Sequence, residues 1–186
     1  LVFAESDFLP GLVVDRFAAK LSVQFNSAFS EHYRAEILAA LQTLVTSAKI
    51  IDTSDNEARN REQLLPVSRI DNAEETVILS GGIRYAIRVG AGQKTGFYLD
   101  QRTNRAIVAT HAAGRRVLDA FCYSGSFSLA CAKAGAAAVT AIDSSADALA
   151  LFKRNLELDA TDFNANTPVK PVQADVFEEL RKLKSA

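Results

Sequence analysis

Three aspartates lie within or directly after three short apolar runs in the second half of the chain, and each could hold part of a nucleoside ligand. Asp119 lies within Val117–Phe121, Asp143 follows Ala138–Ile142, and Asp175 follows Val169–Ala174. Compact apolar runs of this kind are typical of parallel strands covered on both faces. Ligands of open parallel sheets bind outside the carboxyl ends of the strands. A carboxylate there can accept hydrogen bonds from both hydroxyls of a ribose, and we predict this role for Asp143.

The segment between the first two apolar runs indicates which class of nucleoside ligand could bind. Tyr123–Ser126 predicts a turn, Phe127–Ala134 an alanine-rich helix, and Gly135 a left-handed C-cap. A dinucleotide fingerprint requires three glycines and a P-loop requires a lysine, whereas this turn has only Gly125 and no lysine after it. A nicotinamide-dependent oxidoreductase is therefore disfavoured.

Asp119 indicates whether the nucleoside cofactor carries a pyrophosphate or a cationic group. Its carboxylate would repel a pyrophosphate but would pair with an ammonium group. A ribose, an adenine and a cationic amino-acid end together describe S-adenosylmethionine (SAM), which we predict as the cofactor. The alternative is an ordinary strand–helix–strand unit with an incidental acid.

The third acid predicts contacts with the adenine. Asp175 would accept from the amino group, and Val176 would pack on the ring. Asp175 could also cap the following helix, since aspartate is a preferred N-cap, and both roles can coexist. Ser144 or Ser145 is expected to cap the preceding helix, and Ser144, beside Asp143, is also a candidate cofactor contact.

Longer segments resemble a known family. GQKTGFYLDQRTNR (Gly92–Arg105), followed by VLDAFCYSGSFS, closely resembles the large-subunit ribosomal RNA methyltransferases with an N-terminal PUA domain, many of which make 5-methylcytosine. ESDFLPGLVVDRF (Glu5–Phe17) resembles the start of their central domain. The resemblance implies that the Gly92–Arg105 segment packs beside the SAM pocket, with roles for Phe97, Tyr98, Asp100, Gln101 and Arg102. It also implies that Asp119, Phe121 and Gly125 form the first SAM loop, with Asp143 on the ribose and Asp175 on the adenine.

The same resemblance implies that the chemistry lies elsewhere. The family carries a fourth strand ending in an Asp-Pro-Pro-Phe-like motif and then a catalytic cysteine, and neither stands before Ala186. We therefore expect the catalytic residues beyond Ala186, and the chain alone to be inactive. Two alternatives remain open: a non-catalytic RNA-binding or regulatory fragment of the same fold, and a guanine N7 methyltransferase.

The cysteines Cys122 and Cys131 lie within one strand–turn–helix unit. Methylation at C5 of a pyrimidine needs a thiolate that attacks C6. Cys122 lies on the cofactor side, so we interpret it as a small buried hydrophobic residue. A disulfide is not expected, and no His/Cys cluster has metal-ligand spacing.

Basic residues concentrate between positions 84 and 116. The segment carries Arg84, Arg88, Lys94, Arg102, Arg105, Arg115 and Arg116 against a single acid, Asp100. Phosphate contacts dominate nucleic-acid affinity, so we predict that Arg84, Arg88, Lys94 and Arg105 bind ribosomal RNA. Phe97 and Tyr98 could stack a base or the adenine. The alternative is a solvated helix face together with residues that anchor the SAM carboxylate.

The first part of the chain predicts a separate small domain. Leu12–Val14 and Leu21–Phe25 predict strands, Glu31–Val45 one amphipathic helix, and Lys49–Asp52 a short strand. Thr76–Leu79 and Ile83–Val89 predict a hairpin across Gly81-Gly82. The expected division is a small α+β central domain over 1–75, a hairpin and linker over 76–96, and the SAM-binding half of a Rossmann-like methyltransferase domain over 97–186. The fold class is therefore α/β, a partial Rossmann-like class I SAM methyltransferase domain preceded by a small α+β domain.

Composition is that of a globular protein. The 186 residues are 48% hydrophobic with a net charge of −1, which suits a proper core. No apolar run approaches membrane-spanning length and no secretory signal stands in the sequence, so we expect a cytoplasmic protein without a membrane partner. A homodimer is a further expectation.

Overall fold

The computed structural model describes residues 1–68, 73–90, 96–158 and 167–184. The chain divides into two compact units. One comprises Leu1–Thr76 with Ile87–Tyr98, and the other Val77–Ala86 with Leu99–Ala186. The hairpin predicted from the sequence is present as β5 (Glu75–Ser80) and β6 (Ile83–Arg88), and its residues are shared between the units.

The first unit is built on a four-stranded sheet in the order β1-β2-β3-β4. Its strands are β1 (Val2–Phe3), β2 (Leu12–Phe17), β3 (Lys20–Phe25) and β4 (Lys49–Asp52). The first three run antiparallel, whereas β4 runs parallel to β3 and therefore needs a helical crossover. The helices are α1 (Ala28–His32), α2 (Arg34–Leu44) and α3 (Asn56–Arg61). The core joins inward-facing residues of β2 and β3 to α2: Leu12, Val14, Leu21, Val23, Phe25 and Leu41.

The crossover corrects one prediction from the sequence. A single helix over Glu31–Val45 is wrong, because α1 and α2 are separated at Tyr33. The helical segment also begins earlier, at Ala28, where Ser27 and Ser30 form a reciprocal capping box. Apolar spacing reports the buried face of a helix but not a cap made by two serines, so the earlier start went unseen.

A network of charged side chains, which we call the Glu31 network, ties α1, α2, β4 and α3 together. Arg59 is 3% exposed and donates to the carbonyl of Phe25 and to Glu31, both at 2.7 Å. Arg34 donates to Glu31 and, at 2.6 Å, to Asp52. Burying the charge of Arg59 is tolerated because it is paired and hydrogen-bonded, while its partners in the network stay half-buried.

The Glu31 network predicts how stability depends on pH. The hydrogen bond from Arg34, against the opposing effect of burial, lowers the pKa of Glu31 from 4.5 to about 2. Burial would raise the pKa of Asp52, but hydrogen bonds from Ser54 and Arg34 lower it overall. A carboxyl with a depressed folded pKa stabilises the fold above its unfolded pKa and loses that contribution as pH falls.

We therefore expect the free energy of unfolding of the first unit to fall as pH drops from about 5 towards 2. Urea titrations at a series of pH values measure this slope. Glu31→Gln should be less stable at neutral pH and show a shallower slope over that window. An unchanged slope in this variant would remove Glu31 as its source.

The second unit contains a three-stranded parallel sheet in the order β7-β8-β9. Its strands are β7 (Arg116–Ala120), β8 (Ala138–Asp143) and β9 (Val169–Gln173). Helices α5 (Ser126–Lys133) and α6 (Ala146–Leu158) connect them, α4 (Arg102–Thr110) precedes them, and α7 (Val176–Lys184) follows. The alternation of strands and helices predicted from the sequence is thus present, with Gly135 in the left-handed conformation after α5.

Both outer strands of this sheet lie at edges within the ranges described. On β9 the edge carries Pro171, which has no N–H to donate. On β7 the apolar side chain of Leu118 is 43% exposed. Among the described residues no helix is both long and apolar enough to cross a bilayer.

Candidate functional site

The turn after β7, which we call the cofactor loop (residues 121–125), is fixed by backbone hydrogen bonds to the end of β8. The N–H of Cys122 donates to the carbonyl of Ile142 at 3.0 Å, and the N–H of Tyr123 donates to Asp143 Oδ2 at 2.8 Å. The N–H of Gly125 closes the turn onto the carbonyl of Cys122 at 2.8 Å. The loop therefore follows the carboxyl end of the sheet, where the sequence predicted a ligand site.

Two residues of the cofactor loop have an unfavourable backbone conformation. Phe121 has φ 61° and Tyr123 has φ 48°, and neither is a glycine. A left-handed residue with a side chain costs about 1–2 kcal/mol. Conformations of this kind persist only where the surroundings hold them, and they cluster at ligand-binding sites.

Gly125 is the one loop position where only glycine fits. Its φ is +77°, and a Cβ there would lie 2.1 Å from Cδ2 of Phe152. Phe152 is a fully buried ring of α6, so it has no room to retreat. The close approach of α6 to the loop explains why the sequence has a glycine here.

Asp119 combines a structural contact with an open carboxylate oxygen. Its Oδ2 accepts from the N–H of Ser128 at 3.0 Å and from the Ser128 hydroxyl at 2.6 Å, which caps α5 in place of Gly125. Burial raises the pKa of Asp119. The hydrogen bonds from Ser128 lower this pKa, and the negative charge of Asp143 raises it further. A cation beside these two acids would relieve their repulsion, which is the chemistry an ammonium group supplies.

Asp143 holds the loop and keeps acceptor capacity. Besides Tyr123, it accepts from the N–H of Ser145 at 2.9 Å through Oδ1. Each carboxylate oxygen has two lone pairs, so both can still accept a hydroxyl. Ser145, not Ser144, caps α6, since its hydroxyl accepts from the N–H of Ala148 at 3.2 Å. Ser144 is exposed at the strand end.

At the end of β9, Asp175 caps α7 by accepting from the N–H of Glu178 at 2.9 Å. Val176 is 3% exposed, so it offers a ring almost no surface. The exposed aromatic surface comes instead from Phe121 (58% exposed) and Phe177 (61%), which meet edge to face at 5.5 Å. Phe177 was not predicted from the sequence, although its place two residues after Asp175 was the available signal.

The residues assigned by resemblance before β7 lie in both units. Phe97 is buried and Tyr98 half-buried, and both belong to the first unit. Gln101 accepts from Asn104 at 2.9 Å at the start of α4, where Arg102 is exposed. Their contact with the cofactor stays a prediction.

The residues predicted to bind RNA differ in exposure. Arg84 and Arg88 are exposed, and Arg84 also donates to the carbonyl of Leu158 at the end of α6. Arg105 is 4% exposed, and this burial lowers its pKa. A direct phosphate contact from Arg105 does not fit this conformation, and Lys94 lies outside the described residues.

The two cysteines are free and buried. Burial, reinforced by the charges of Asp119 and Asp143, raises the pKa of Cys122 to about 12. Burial likewise raises the pKa of Cys131. Both thiols stay protonated at neutral pH, which makes them unsuited to nucleophilic attack. Among the residues that the structure describes, no group of three or more His, Cys, Asp or Glu side chains could hold a metal ion.

A parallel sheet with helical crossovers, acids at all three strand ends and a glycine-dependent loop defines a nucleoside-binding domain of the Rossmann-like class. Comparison with known proteins makes the class specific. Residues 63–185 match the S-adenosylmethionine-dependent methyltransferase family, and the chain belongs to that family.

Individual relatives of this chain are also named as methyltransferases. A ribosomal RNA large subunit methyltransferase I from Shewanella denitrificans is 40% identical, covering 98% of this chain and 46% of the relative. One of the same name from Aeromonas hydrophila is 41% identical with the same coverage. The chain thus spans about half the length of the curated relatives it matches.

Solved structures confirm the Rossmann-like α/β fold. A protein from Streptococcus mutans, described as a SAM-dependent methyltransferase, is similar with a TM-score of 0.78 at 27% identity, over 98% of this chain and 47% of the other. A methyltransferase complexed with SAH is similar with a TM-score of 0.79 at 27% identity, over 98% and 46%. SAM as the cofactor, predicted from the sequence, is confirmed at the level of the family.

Proposed function

We propose that this chain is the cofactor-binding part of an enzyme that methylates large-subunit ribosomal RNA, with C5 of a cytosine as the target. The observation that carries the cofactor-binding part of this proposal is the set of three carboxylates, Asp119, Asp143 and Asp175, at the ends of β7, β8 and β9. Relatives named as ribosomal RNA methyltransferases support the RNA substrate. Ribosomal RNA as the partner, and a cytoplasmic location with it, belong to this proposal, as does the predicted homodimer.

Each strand end would hold one part of SAM. Asp119 receives the ammonium group through the oxygen that Ser128 does not use, and Asp143 accepts the ribose hydroxyls beside Ser144. Asp175 accepts the adenine amino group through the oxygen that does not cap α7. The exposed rings of Phe121 and Phe177 supply the apolar surface at this edge. Gln101 and Arg102, which belong to the same unit, would complete the contacts.

The methyl group of bound SAM is electrophilic, so the chain's task is to hold the donor while a nucleophile approaches. Attack from C5 of cytosine needs a thiolate on C6. The pKa of Cys122, near 12, makes this cysteine unfit for that step. The thiolate would therefore come from a residue outside the cofactor loop, as predicted from the sequence.

Asp143→Ala should weaken SAM binding about ten- to a hundredfold, because charge-assisted hydrogen bonds contribute about 1.5–3 kcal/mol. Isothermal titration calorimetry measures the Kd. The matched control is Asp147→Ala, which removes an exposed acid from the first turn of α6 and should leave the Kd within about twofold. Equal affinities in the two variants would overturn the ribose assignment.

The activity is tested by incubating the natural gene product with labelled SAM and ribosomal RNA, followed by nucleoside analysis. The proposal expects label in 5-methylcytosine. Label in 7-methylguanine would favour the guanine alternative, and SAM binding without transfer would favour the non-catalytic fragment.

Arg88→Glu should weaken RNA binding and reduce its salt dependence, whereas Arg61→Glu, at another exposed arginine, serves as the charge-matched control.

A further inference from the structure

One buried polar side chain in the second unit connects two elements and has no part in the proposed chemistry. Asn155 of α6 is fully buried. Its Oδ1 accepts from the N–H of Ala86 in β6 at 2.7 Å, and its Nδ2 donates to the carbonyl of Ser124 in the cofactor loop at 3.1 Å. We propose that Asn155 is a positioning residue that holds the cofactor loop in its SAM-binding conformation, an inference that rests on the proposed function.

The two contacts require a carboxamide. One partner is an N–H and needs an acceptor, while the other is a carbonyl and needs a donor, so the orientation of the amide is fixed by its surroundings. An ionised carboxylate offers only acceptors, and an aliphatic side chain offers neither. A polar group buried this completely is expensive unless both of its ends are satisfied, which is the case here.

The cofactor loop needs support on the side that faces α6. On the β8 side, hydrogen bonds hold Cys122 and Tyr123. On the α6 side, Phe152 packs against Gly125, and Asn155 binds the loop backbone through the carbonyl of Ser124. The held carbonyl belongs to Ser124, which follows left-handed Tyr123 and precedes left-handed Gly125.

Strain in the loop makes this bond important for binding. Phe121 and Tyr123 can lower their energy by leaving the left-handed region, and such a change would rotate the peptide group between Ser124 and Gly125, whose carbonyl Asn155 holds. That peptide leads directly into α5, whose N-terminus is capped by Asp119. Without the Asn155 bond the loop would sample other conformations, and SAM binding would have to reorder it.

The test compares Asn155→Leu with Leu149→Ala, a truncation of another buried side chain of α6. Both should lower Tm, but only Asn155→Leu should raise the Kd for SAM about tenfold or more, measured by calorimetry well below either Tm. Asn155→Ser, which is smaller and cannot span both partners, should give the same result if the leucine variant fails to fold.

Hydrogen exchange in the ligand-free chain supplies a readout that a merely structural role would not move. The amides of residues 122–125 should exchange faster in the Asn155 variants than in Leu149→Ala at equal loss of stability. Equal exchange and equal Kd in the matched variants would overturn the positioning role. If the unaltered chain does not bind SAM, the proposed function fails instead, and exchange still reports whether Asn155 holds the loop.

Discussion

Gly125→Ala is expected to abolish measurable SAM binding and to destabilise the second unit by about 3 kcal/mol or more. Two effects combine at this position. The alanine would have to adopt φ +77°, and its Cβ would lie 2.1 Å from the ring of Phe152. Since Phe152 is fully buried, the loop must move instead of the ring. Calorimetry with SAM and thermal unfolding measure the two consequences.

Gly114→Ala is the matched control for the left-handed conformation alone. Gly114 has φ +68°, and a Cβ there would meet nothing within 4 Å. It should lose about 1 kcal/mol of stability and bind SAM normally. If the two glycine variants lose equal stability and both keep their affinity for SAM, the close approach of α6 to the loop contributes neither to stability nor to binding.

Arg59→Met should cost the first unit about 3–5 kcal/mol, the range found when one partner of a buried ion pair is removed. The guanidinium donates to the carbonyls of Phe25 and Leu65 as well as to Glu31. A methionine fills similar space but leaves these acceptors without that donor. The free energy of unfolding from urea titration measures the loss.

Arg61→Met on the same helix separates this effect from the general loss of an arginine. Arg61 is exposed and contacts Glu57 at 3.7 Å, an ion pair of the kind that contributes little. Its removal should change stability by less than about 0.5 kcal/mol. A similar loss in both variants would mean that the Glu31 network does not stabilise the unit through Arg59.

The sequence predicted the strand ends of the second unit well because several local signals agreed. Apolar runs marked β7, β8 and β9, small residues marked the turn, and Gly135 marked the end of α5. The same apolar runs located the three aspartates at the ends of these strands. Asp175 as a helix cap was also foreseen, since its position alone suffices for that role.

Contacts between distant segments were not predictable in the same way. Asn155 lies next to the apolar positions of α6, and nothing nearby in the chain shows that it reaches Ala86 and Ser124. The burial of Arg105 could not be predicted, because it belongs to a cluster of basic residues that is typical of a solvated surface. These features depend on which elements meet, and one-dimensional periodicity carries no information about that.

The two edges of the parallel sheet differ in a way that restricts how copies of this unit can associate. Head-to-tail growth would join the β7 edge of one copy to the β9 edge of the next and could continue into an open fibre. Pro171 hinders that route because it interrupts the row of donors on β9. No proline stands in β7, and its side chain Leu118 is exposed. Protection against strand addition is therefore built into β9 alone of the two outer strands in the described part of the sheet.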